Sequence, residues 1–271
     1  MFIGNREFGK HTYVMGILNV TPDSFSDGGR FNDIDRALKH TEELVNDGAD
    51  IIDVGGESTR PNYTQISDSE EIERVVPVIE KIKQNFDIPV SIDTYKSAVA
   101  SAAVSAGADM INDIWGLKYD GNMAKVISES GAACCLMHNR KNAQYNSFVD
   151  DVLNDLRESV EIAKRAGIQK DKIVLDPGIG FAKSYKENLI MTNNLERMNE
   201  IGYPVLLGTS RKSMIGLTLD LPSDQRLEGT IATTVMAVIK GCMFVRVHDV
   251  LENKRAIMMT EAIINSSKGN W

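Results

Sequence analysis

Short apolar runs alternate along the chain with amphipathic stretches, and this alternation continues over nearly its whole length. Each run is rich in Val, Ile and Leu, as expected of a parallel strand covered on both faces. The stretches between the runs carry apolar residues at helical spacing, and several end on glycine, a usual helix stop. The predicted strands open the segments 15–29, 50–60, 89–94, 110–114, 134–139, 173–178, 205–212 and 244–249. The predicted helices span 33–47, 67–86, 95–106, 122–130, 148–166, 186–199, 225–240 and 250–264.

Every predicted strand runs into polar residues at its C-terminal end, which the packing of a core does not require. An open doubly wound sheet gathers its ligand groups mainly at one switch point, so eight polar strand ends favour a closed barrel. The predicted fold is a single (β/α)8 TIM barrel with the active site at the C-terminal ends of the strands. One domain is expected over residues 1–271, with a barrel core at about 13–264. Residues 1–12 and 265–271 are expected to form an N-terminal extension and a C-terminal tail.

The composition excludes several classes of protein. A net charge of −8 argues against a general nucleic-acid binder, because binding to a nucleic-acid backbone requires a basic surface. No apolar run is long enough to cross a bilayer, and the first residues lack the apolar core of a secretory signal. The three cysteines have neither disulfide nor zinc spacing, so a reduced cytoplasmic protein is expected.

Two basic residues lie in the last predicted strand. Arg246 and His248 are two positions apart, so their side chains point to one side while Val245 and Val247 point to the other. On the inner side of a barrel strand, at its C-terminal end, the two would form an anion pocket. A surface strand with scattered charges is the alternative, and the flanking apolar residues disfavour it.

Acceptor side chains follow three other predicted strands, namely Asp93, Asn112 and Asp176. Together they would suit a heterocycle with amino and N–H groups, because a carboxylate pairs with two adjacent donors in a fork. A helix N-cap is the alternative for Asp93, whereas Pro177 disfavours a simple cap at Asp176. The segment 209–213 adds hydroxyls and two cations before a helix-like stretch, which favours an anionic or strongly polar ligand.

Other features leave alternatives open. Glu57 has no role that the sequence assigns, and Glu228 is expected to cap a helix or pair with an arginine. His138 either lines the site or ties its rim together. Loops 21–29 and 55–62 have the composition of mobile covers, with ordinary polar loops as the alternative. No Ser-His-Asp order or His/Glu metal triad stands out, so ligand ionisation, orientation and metal assistance are expected to drive the chemistry.

Taken together, these segments closely resemble the dihydropteroate synthase family of the folate pathway. The motifs occur in the family's order and span residues 15–249, essentially the whole predicted domain. They are 15–29, Asp53-Val-Gly-Gly-Glu-Ser-Thr-Arg-Pro61, Ser91-Ile-Asp-Thr-Tyr-Lys96, Asn112-Asp-Ile-Trp-Gly116, Leu136-Met-His-Asn-Arg140, Leu175-Asp-Pro-Gly-Ile-Gly-Phe181, Gly208-Thr-Ser-Arg-Lys-Ser213, Arg226-Leu-Glu-Gly-Thr230 and Arg246-Val-His-Asp249. The resemblance implies condensation of 6-hydroxymethyl-7,8-dihydropterin diphosphate with p-aminobenzoate, which yields 7,8-dihydropteroate and pyrophosphate.

The resemblance also implies roles for individual residues. Those implied to bind the substrates are Asp93, Asn112, Asp176, Lys212, Arg246, Met137, Phe181, Phe25, Thr59, Arg60, Pro61 and Ser213. The last five are implied to lie around p-aminobenzoate. Asn19, Arg246 and His248 would form the pyrophosphate pocket, with Asn19 also a ligand of Mg²⁺. Asp93, Lys212, Arg246 and His248 are the catalytic residues implied. The implied mechanism is SN1-like, with Asp93 stabilising a carbocation that the arylamine attacks.

The resemblance further implies a homodimer through barrel helices, small-molecule substrates as partners and inhibition by sulfonamides. Two positions depart from the family pattern, since Asn62 and Ala182 stand where glycine is usual. A pterin-binding methyltransferase that passes a folate methyl group to a corrinoid protein is one alternative. It would not need loop 21–29, the segment Ser210-Arg-Lys-Ser213 or the Arg246/His248 pocket, all of which are present. A non-catalytic paralogue would be expected to lack one of the site residues, and none is lost.

Overall fold

A computed structural model gives the structure of residues 1–21, 30–58 and 65–266, with the backbone alone described at residues 30–32. The strands of this part of the chain are β1 (Phe2–Ile3), β2 (Arg6–Glu7), β3 (Tyr13–Asn19), β4 (Ile51–Gly55), β5 (Val90–Asp93), β6 (Met110–Asp113), β7 (Ala133–Met137), β8 (Ile173–Asp176), β9 (Leu206–Leu207) and β10 (Phe244–Val247). Its α-helices are α1 (Arg30–Asn46), α2 (Asp68–Asn85), α3 (Ser97–Ser105), α4 (Met123–Ser130), α5 (Phe148–Arg165), α6 (Tyr185–Asn193), α7 (Ser213–Leu219), α8 (Leu227–Ile239) and α9 (Val250–Ser266). Short 3-10 helices occupy Lys170–Lys172, Leu195–Ile201 and Ser223–Gln225.

Strands β3 to β10 form a closed parallel barrel. Within the described residues their order is β8-β7-β6-β5-β4-β3-β10-β9. The two edges meet because Leu175 of β8 pairs in parallel with Val205, and the Leu175 amide donates to the Pro204 carbonyl at 2.9 Å. Helices connect the successive strands, which confirms the predicted (β/α)8 fold. The C-terminal ends of these strands therefore open on one face.

Side chains alternate across the barrel wall, as the two-residue period of a strand requires. In β4, Ile52 and Val54 pack outward into the main hydrophobic core beneath the helices, whereas Ile51 packs in a separate inner cluster. Asp53 and Gly55 share the parity of Ile51, which places them on the inner face nearer the C-terminal end. The inner face of this strand therefore changes from apolar to polar as it approaches the site.

The first residues of the chain close the opposite end of the barrel. Strands β1 and β2 pair antiparallel, and Ile3 and Phe8 are buried against the inner cluster. The Phe8 ring centre lies 5.4 Å from that of Phe244, at the start of β10. The sequence predicts 1–12 as an extension, whereas these two side chains belong to the core. An open barrel end leaves apolar surface that must be covered, and the hairpin covers it.

Two of the predicted helices differ from the structure. Helix α6 ends at Asn193 because Asn194 leaves the helical backbone (φ −110°, ψ 25°), and a 3-10 helix follows. Between β9 and β10, the pattern predicts one helix at 225–240, whereas α7 precedes α8 there. Helix α7 begins directly after Lys212, at the end of the loop that follows β9. None of the described helices combines the length and the apolar character needed to cross a membrane.

Candidate active site

Arg246 lies between two carboxylates in the barrel interior. Its Nε donates to Asp53 Oδ2 at 2.5 Å, and its Nη2 donates to Asp93 Oδ2 at 2.6 Å. Strands β10, β4 and β5 bring these three residues together. The Oδ1 atom of each carboxylate is buried and has no hydrogen-bond partner among the described residues. The carboxylates therefore orient the guanidinium and keep acceptor capacity for a ligand.

The charges of this group are strongly coupled. Burial raises the pKa of Asp93 to about 7, with Arg246 opposing the rise and Asp53 adding to it. Burial acts to lower the pKa of Arg246, but Asp53 and Asp93 outweigh it and the net shift is upward. The guanidinium therefore stays charged, while Asp93 titrates near neutral pH. Positive charge on a bound molecule would favour the ionised form of Asp93.

Asp53 also binds a second predicted site residue. Asn112 Nδ2 donates to Asp53 Oδ2 at 3.3 Å, and Asn112 stands opposite Asp93 in the register of β5 and β6. Asp53 is fully buried, yet the sequence did not lead us to predict it. The sequence does contain a signal for Asp53. This residue interrupts an apolar strand two positions before Gly55, so its side chain is on the same face as Gly55, which is the face toward the barrel interior.

Asp176 and Lys212 lie at the ends of β8 and β9. Asp176 Oδ1 accepts the Gly178 amide at 2.6 Å. The Lys212 ammonium donates to the Ile179 carbonyl and lies 4.9 Å from the centre of the Phe181 ring. Both predicted pterin-binding residues are therefore held by the loop that follows β8.

Burial and mutual attraction act in opposite directions on these two charges. Burial raises the pKa of Asp176, and Lys212 opposes the rise. Burial lowers the pKa of Lys212 to about 8, and Asp176 opposes the fall. A Cβ on Gly208 would lie 3.6 Å from Asp176 Oδ2 and 3.9 Å from Lys212 Nζ. The glycine therefore keeps open the space beside both groups.

The loop after β9 also binds His248. His248 Nδ1 lies 2.9 Å from Ser210 Oγ, and this hydroxyl accepts the His248 amide at 3.1 Å. Arg211, one of the two cations predicted for a ligand, pairs instead with Asp249, to which its Nε donates at 3.1 Å. Of the two cations, Lys212 is the one directed toward Asp176.

Three other predicted residues lie nearby. Met137 and Phe181 pack into one small apolar cluster with Tyr95 and Ile114 at the strand ends. Ser213 is the first residue of α7 and is exposed, where it lines a cavity of about 500 Å³ on the α7 side. The structure thus joins Met137 to Phe181, whereas Ser213 lines a separate cavity formed by α7 and the segment that follows it.

Asn19 flanks a small space next to Asp93. Asn19 pairs with Gly55, which in turn pairs with Asp93. A Cβ on Gly55 would lie 3.5 Å from Asn19 Oδ1 and 3.9 Å from Asp93 Oδ2, so the glycine keeps this space open between two hard oxygens. Among the described residues, no group of three or more His, Cys, Asp or Glu side chains has a metal-binding arrangement. The donors fit Mg²⁺, which takes few protein ligands and often arrives with substrate phosphates.

Comparison with known proteins identifies the family. The profile described as pterin binding enzyme matches residues 15–248. The dihydropteroate synthase of Clostridium beijerinckii is 62% identical over 267 residues, which cover 97% of this chain and 99% of that one. The chain belongs to the dihydropteroate synthase family.

Solved dihydropteroate synthases have the same fold. The structure from Clostridium difficile, determined in the presence of pteroic acid, is 52% identical, has a TM-score of 0.93 and aligns over 95% of this chain and 98% of that one. A Yersinia pestis synthase in complex with a sulfonamide drug is 39% identical, with a TM-score of 0.91 over 98% and 99% of the two chains. Family membership makes the chain a transferase of folate biosynthesis and decides against the corrinoid methyltransferase.

Four residues that the dihydropteroate synthase resemblance implies for p-aminobenzoate lie outside the described residues. They are Phe25, Thr59, Arg60 and Pro61. Asn62, one of the two departures from the family pattern, lies there as well. The predictions for these positions remain predictions.

His138 ties the rim of the synthase barrel together. Lys183 Nζ donates to His138 Nδ1 at 2.8 Å, so the neutral ring carries its proton on Nε2 and donates to Asp155 Oδ2 at 3.0 Å. Arg140 Nε also donates to Asp155, at 2.5 Å. Burial lowers the pKa of His138 to about 4, with Asp155 opposing. Of the two readings left open by the sequence, the structure supports the rim contact.

Glu57 belongs to a buried ionic cluster that the sequence did not reveal. Lys96 Nζ donates to Glu57 Oε2 at 2.7 Å, to Glu71 Oε2 at 2.8 Å and to the Ile66 carbonyl at 2.7 Å. Glu57 also accepts the Tyr95 hydroxyl at 2.6 Å and the Ile66 amide at 2.8 Å. Glu228, in contrast, is exposed in the first turn of α8.

Proposed function

We propose that the chain condenses 6-hydroxymethyl-7,8-dihydropterin diphosphate with p-aminobenzoate, releasing pyrophosphate and 7,8-dihydropteroate. The observation that carries this proposal is the partly buried guanidinium of Arg246, held between Asp53 and Asp93 at the strand ends. The guanidinium supplies a fixed positive charge that can bind a diphosphate. The neighbouring carboxylate of Asp93 can stabilise positive charge that develops on a carbon atom. Pteroic acid, named with the Clostridium difficile relative, is a pterin joined through its methylene to p-aminobenzoate and so contains both halves of this product.

In this proposal the pterin binds between Asp176, Lys212 and Asn112. Asp176 Oδ1 is held by the Gly178 amide, and the space beside Oδ2 is kept open by Gly208. A carboxylate there can pair with the adjacent amino and N3–H donors of a pterin in a two-bond fork. Lys212, with its pKa near 8, can donate to the ring's acceptors.

The diphosphate would lie toward Arg246, His248 and Asn19. Ser210 orients His248 through its ring and its backbone amide. We assign Asn19 as the protein ligand of Mg²⁺, beside the space at Gly55. When bound, the ion would supply neutralisation of charge on the leaving pyrophosphate.

The chemistry we infer is an SN1-like transfer. Departure of pyrophosphate leaves positive charge on the pterin methylene, which the ionised form of Asp93 stabilises. The amine of p-aminobenzoate then attacks the methylene carbon and loses a proton. Phe181 and Met137 offer an apolar wall on this side, and we assign Ser213, which follows Lys212 in the chain, to the same half of the site. Phe25, Thr59, Arg60 and Pro61 are proposed to complete the p-aminobenzoate site.

We also propose a homodimer in the cytoplasm. Helices α8 and α9 pack together and expose Ile239, Met258, Met259 and Ile263, each more than half accessible. Large apolar side chains exposed on two packed helices favour a protein partner, and a second copy is the occupant that the family resemblance implies. The three cysteines are free and buried, which suits a reducing compartment.

The proposal is tested by measuring pyrophosphate release from the pterin substrate with Mg²⁺, with and without p-aminobenzoate. Release that depends on p-aminobenzoate and yields dihydropteroate is expected. Arg246→Lys keeps a positive charge between the carboxylates but lacks the fork, and should lower kcat by about 10²–10³-fold. Arg165→Gln, at an exposed position in α5, is the control and should be fully active. Near-normal turnover in Arg246→Lys would show that the guanidinium of Arg246 does not have the role proposed for it in the reaction.

A further inference from the structure

The loop that follows β8 folds around the ammonium group of Lys183, a residue to which neither the sequence nor the proposed reaction gives a role. Lys183 Nζ donates to the Gly178 carbonyl at 2.9 Å, to the Phe181 carbonyl at 3.0 Å and to His138 Nδ1 at 2.8 Å. The three hydrogens of an ammonium are therefore all used. Two of them hold the backbone of the loop, and the third joins the loop to the end of β7.

The same loop holds the proposed pterin pocket. Its Ile179 carbonyl accepts the Lys212 ammonium, and its Phe181 ring lies 4.9 Å from that ammonium. Its Gly178 amide donates to Asp176. The two carbonyls that bind Lys183 thus belong to Gly178, whose amide holds Asp176, and to Phe181, whose ring lies against Lys212. Ile179, whose carbonyl accepts from Lys212, lies between them in the chain.

The far side of Lys183 is fixed as well. His138 donates from Nε2 to Asp155, which is held in turn by Arg140. The His138 side chain is fully buried, so its ring cannot turn toward solvent. A continuous series of hydrogen bonds therefore runs from Asp155 on α5 through His138 and Lys183 to the loop that contacts Lys212.

The loop at 178–181 packs closely against the end of β7, which restricts the positions in which it can hold Lys212. A Cβ on Gly178 would lie 2.0 Å from the His138 carbonyl, so the loop backbone lies directly against the end of β7. The charge of Lys183 also acts on the pocket, since it opposes the rise in the pKa of Asp176. Burial lowers the pKa of Lys183 itself to about 7, and the charge of Asp176 opposes this fall.

We infer that Lys183 is a positioning residue for pterin binding, acting through the loop at 178–181 on Lys212 and Asp176. This inference rests on the proposed function, because it names the residue that shapes the pterin half of the same site. A role in fold stability alone would lower the melting temperature of a Lys183 variant without changing the affinity of the folded protein for a pterin.

The test is equilibrium binding of 6-hydroxymethylpterin, which lacks the diphosphate and so reports on the pterin half of the site without turnover. Lys183→Met should bind it about tenfold or more weakly, since charge-assisted hydrogen bonds are lost. Tyr145→Phe is the matched control, because the Tyr145 hydroxyl donates to the Ala182 carbonyl of the same loop at 2.6 Å but contacts neither Lys212 nor Asp176. It should bind the pterin like the wild type.

A double-mutant cycle separates action through Lys212 from general loosening. In a Lys212→Met background, Lys183→Met should weaken binding further by less than about threefold, because the group it positions is gone. If Lys183→Met does not fold, His138→Phe removes the acceptor for Lys183, while Asp155 keeps its hydrogen bonds from Arg140. His138→Phe should weaken binding in the same direction, by about threefold.

Two outcomes are distinguishable. Binding by Lys183→Met within about twofold of the wild type, or an equal loss in Tyr145→Phe, would overturn the role of Lys183 and leave the proposed function intact. Failure of the wild type itself to bind 6-hydroxymethylpterin would overturn the proposed function.

Discussion

Ala182 shows how a single residue departs from the family pattern at a measurable cost. Its φ is +46°, in the left-handed region that costs a residue with a Cβ about 1–2 kcal/mol. Backbone conformation therefore gives a physical reason for the glycine that the family resemblance leads us to expect at this position. We predict that Ala182→Gly raises the free energy of unfolding by about 0.5–1 kcal/mol. The gain is smaller than the strain that is relieved, because glycine also adds conformational entropy to the unfolded chain.

Urea denaturation measures this change. Ala166→Gly is the control. Ala166 caps the C-terminus of α5 with a right-handed backbone at φ −78°, so the same substitution should lower stability there. Destabilisation by both substitutions would contradict the explanation from backbone strain.

His138 should make stability depend on pH. Burial lowers its pKa from 6.5 to about 4, so the folded state holds the ring neutral where the unfolded chain would protonate it. Its contribution is complete above pH 6.5 and is lost as pH falls through 4. At pH 5 the loss amounts to about 2 kcal/mol at 1.36 kcal/mol per pH unit. Asp93 and Asp113, whose pKa values burial raises to about 7, titrate in the same window and gain stability as pH falls.

The measurement is therefore a difference between two proteins. The destabilisation caused by His138→Gln, measured by urea denaturation, should be about 2 kcal/mol smaller at pH 5 than at pH 7.5. The carboxylate contributions cancel in this comparison. A destabilisation that is the same at both pH values would show that His138 keeps an ordinary pKa in the folded protein.

At the scale of elements, the buried cluster of Lys96, Glu57 and Glu71 joins the end of β4 to the starts of α2 and α3. All three side chains are no more than 3% exposed. Burial raises the pKa of Glu71 despite the Lys96 contact, whereas hydrogen bonds to Glu57 and Glu71 overcome burial and raise that of Lys96. The ammonium therefore offsets carboxylates that have no access to water.

We predict that Lys96→Met destabilises the protein by about 3–5 kcal/mol, because it leaves buried carboxylates without their cation. Lys125→Met is the matched control: Lys125 pairs with Glu129 at 3.8 Å, but both side chains are about 70% exposed or more. Its effect should stay within about 0.5 kcal/mol. Thermal and urea unfolding of both variants check the prediction, and similar small effects would mean that the cluster is hydrated in solution.

The same reasoning modifies an expectation for Arg246. From the sequence, Arg246→Ala should abolish turnover with little effect on folding, since it removes an anion contact and not core volume. In the structure the substitution would also leave Asp53 and Asp93 buried without a cation. Stability should therefore fall together with activity, and for this reason the test above uses lysine.

At the scale of the whole molecule, we propose that two copies of the chain meet through the apolar side chains exposed on α8 and α9. Ile263 and Met259 lie one turn apart on α9 and are 61% and 62% exposed. Ile263→Glu should convert a dimer to a monomer, because burying an unpaired carboxylate in the interface is strongly unfavourable. Sedimentation of the wild type, of this variant and of Lys125→Glu on α4 tests it. A monomeric wild type, or a dimeric Ile263→Glu, would refute this interface.

The sequence by itself determined the order of strands and helices and most of the polar residues at the strand ends. Periodicity and helix-stop residues act over a few positions, so they can be read from the chain directly. The same information placed Asp93, Asn112, Asp176, Lys212 and Arg246 on one face once a barrel was assumed. Alternation within β4 could also have indicated Asp53.

The tertiary structure alone decided which of these groups meet. Arg246 contacts carboxylates 193 and 153 residues away, and the barrel closes through Leu175 and Val205. Lys183 looks like an ordinary loop lysine in the sequence, and its ammonium finds His138 and the loop carbonyls only because the end of β7 packs against the loop after β8. Such contacts depend on how distant segments pack, and neither local pattern nor composition records the distance between residues far apart in the chain.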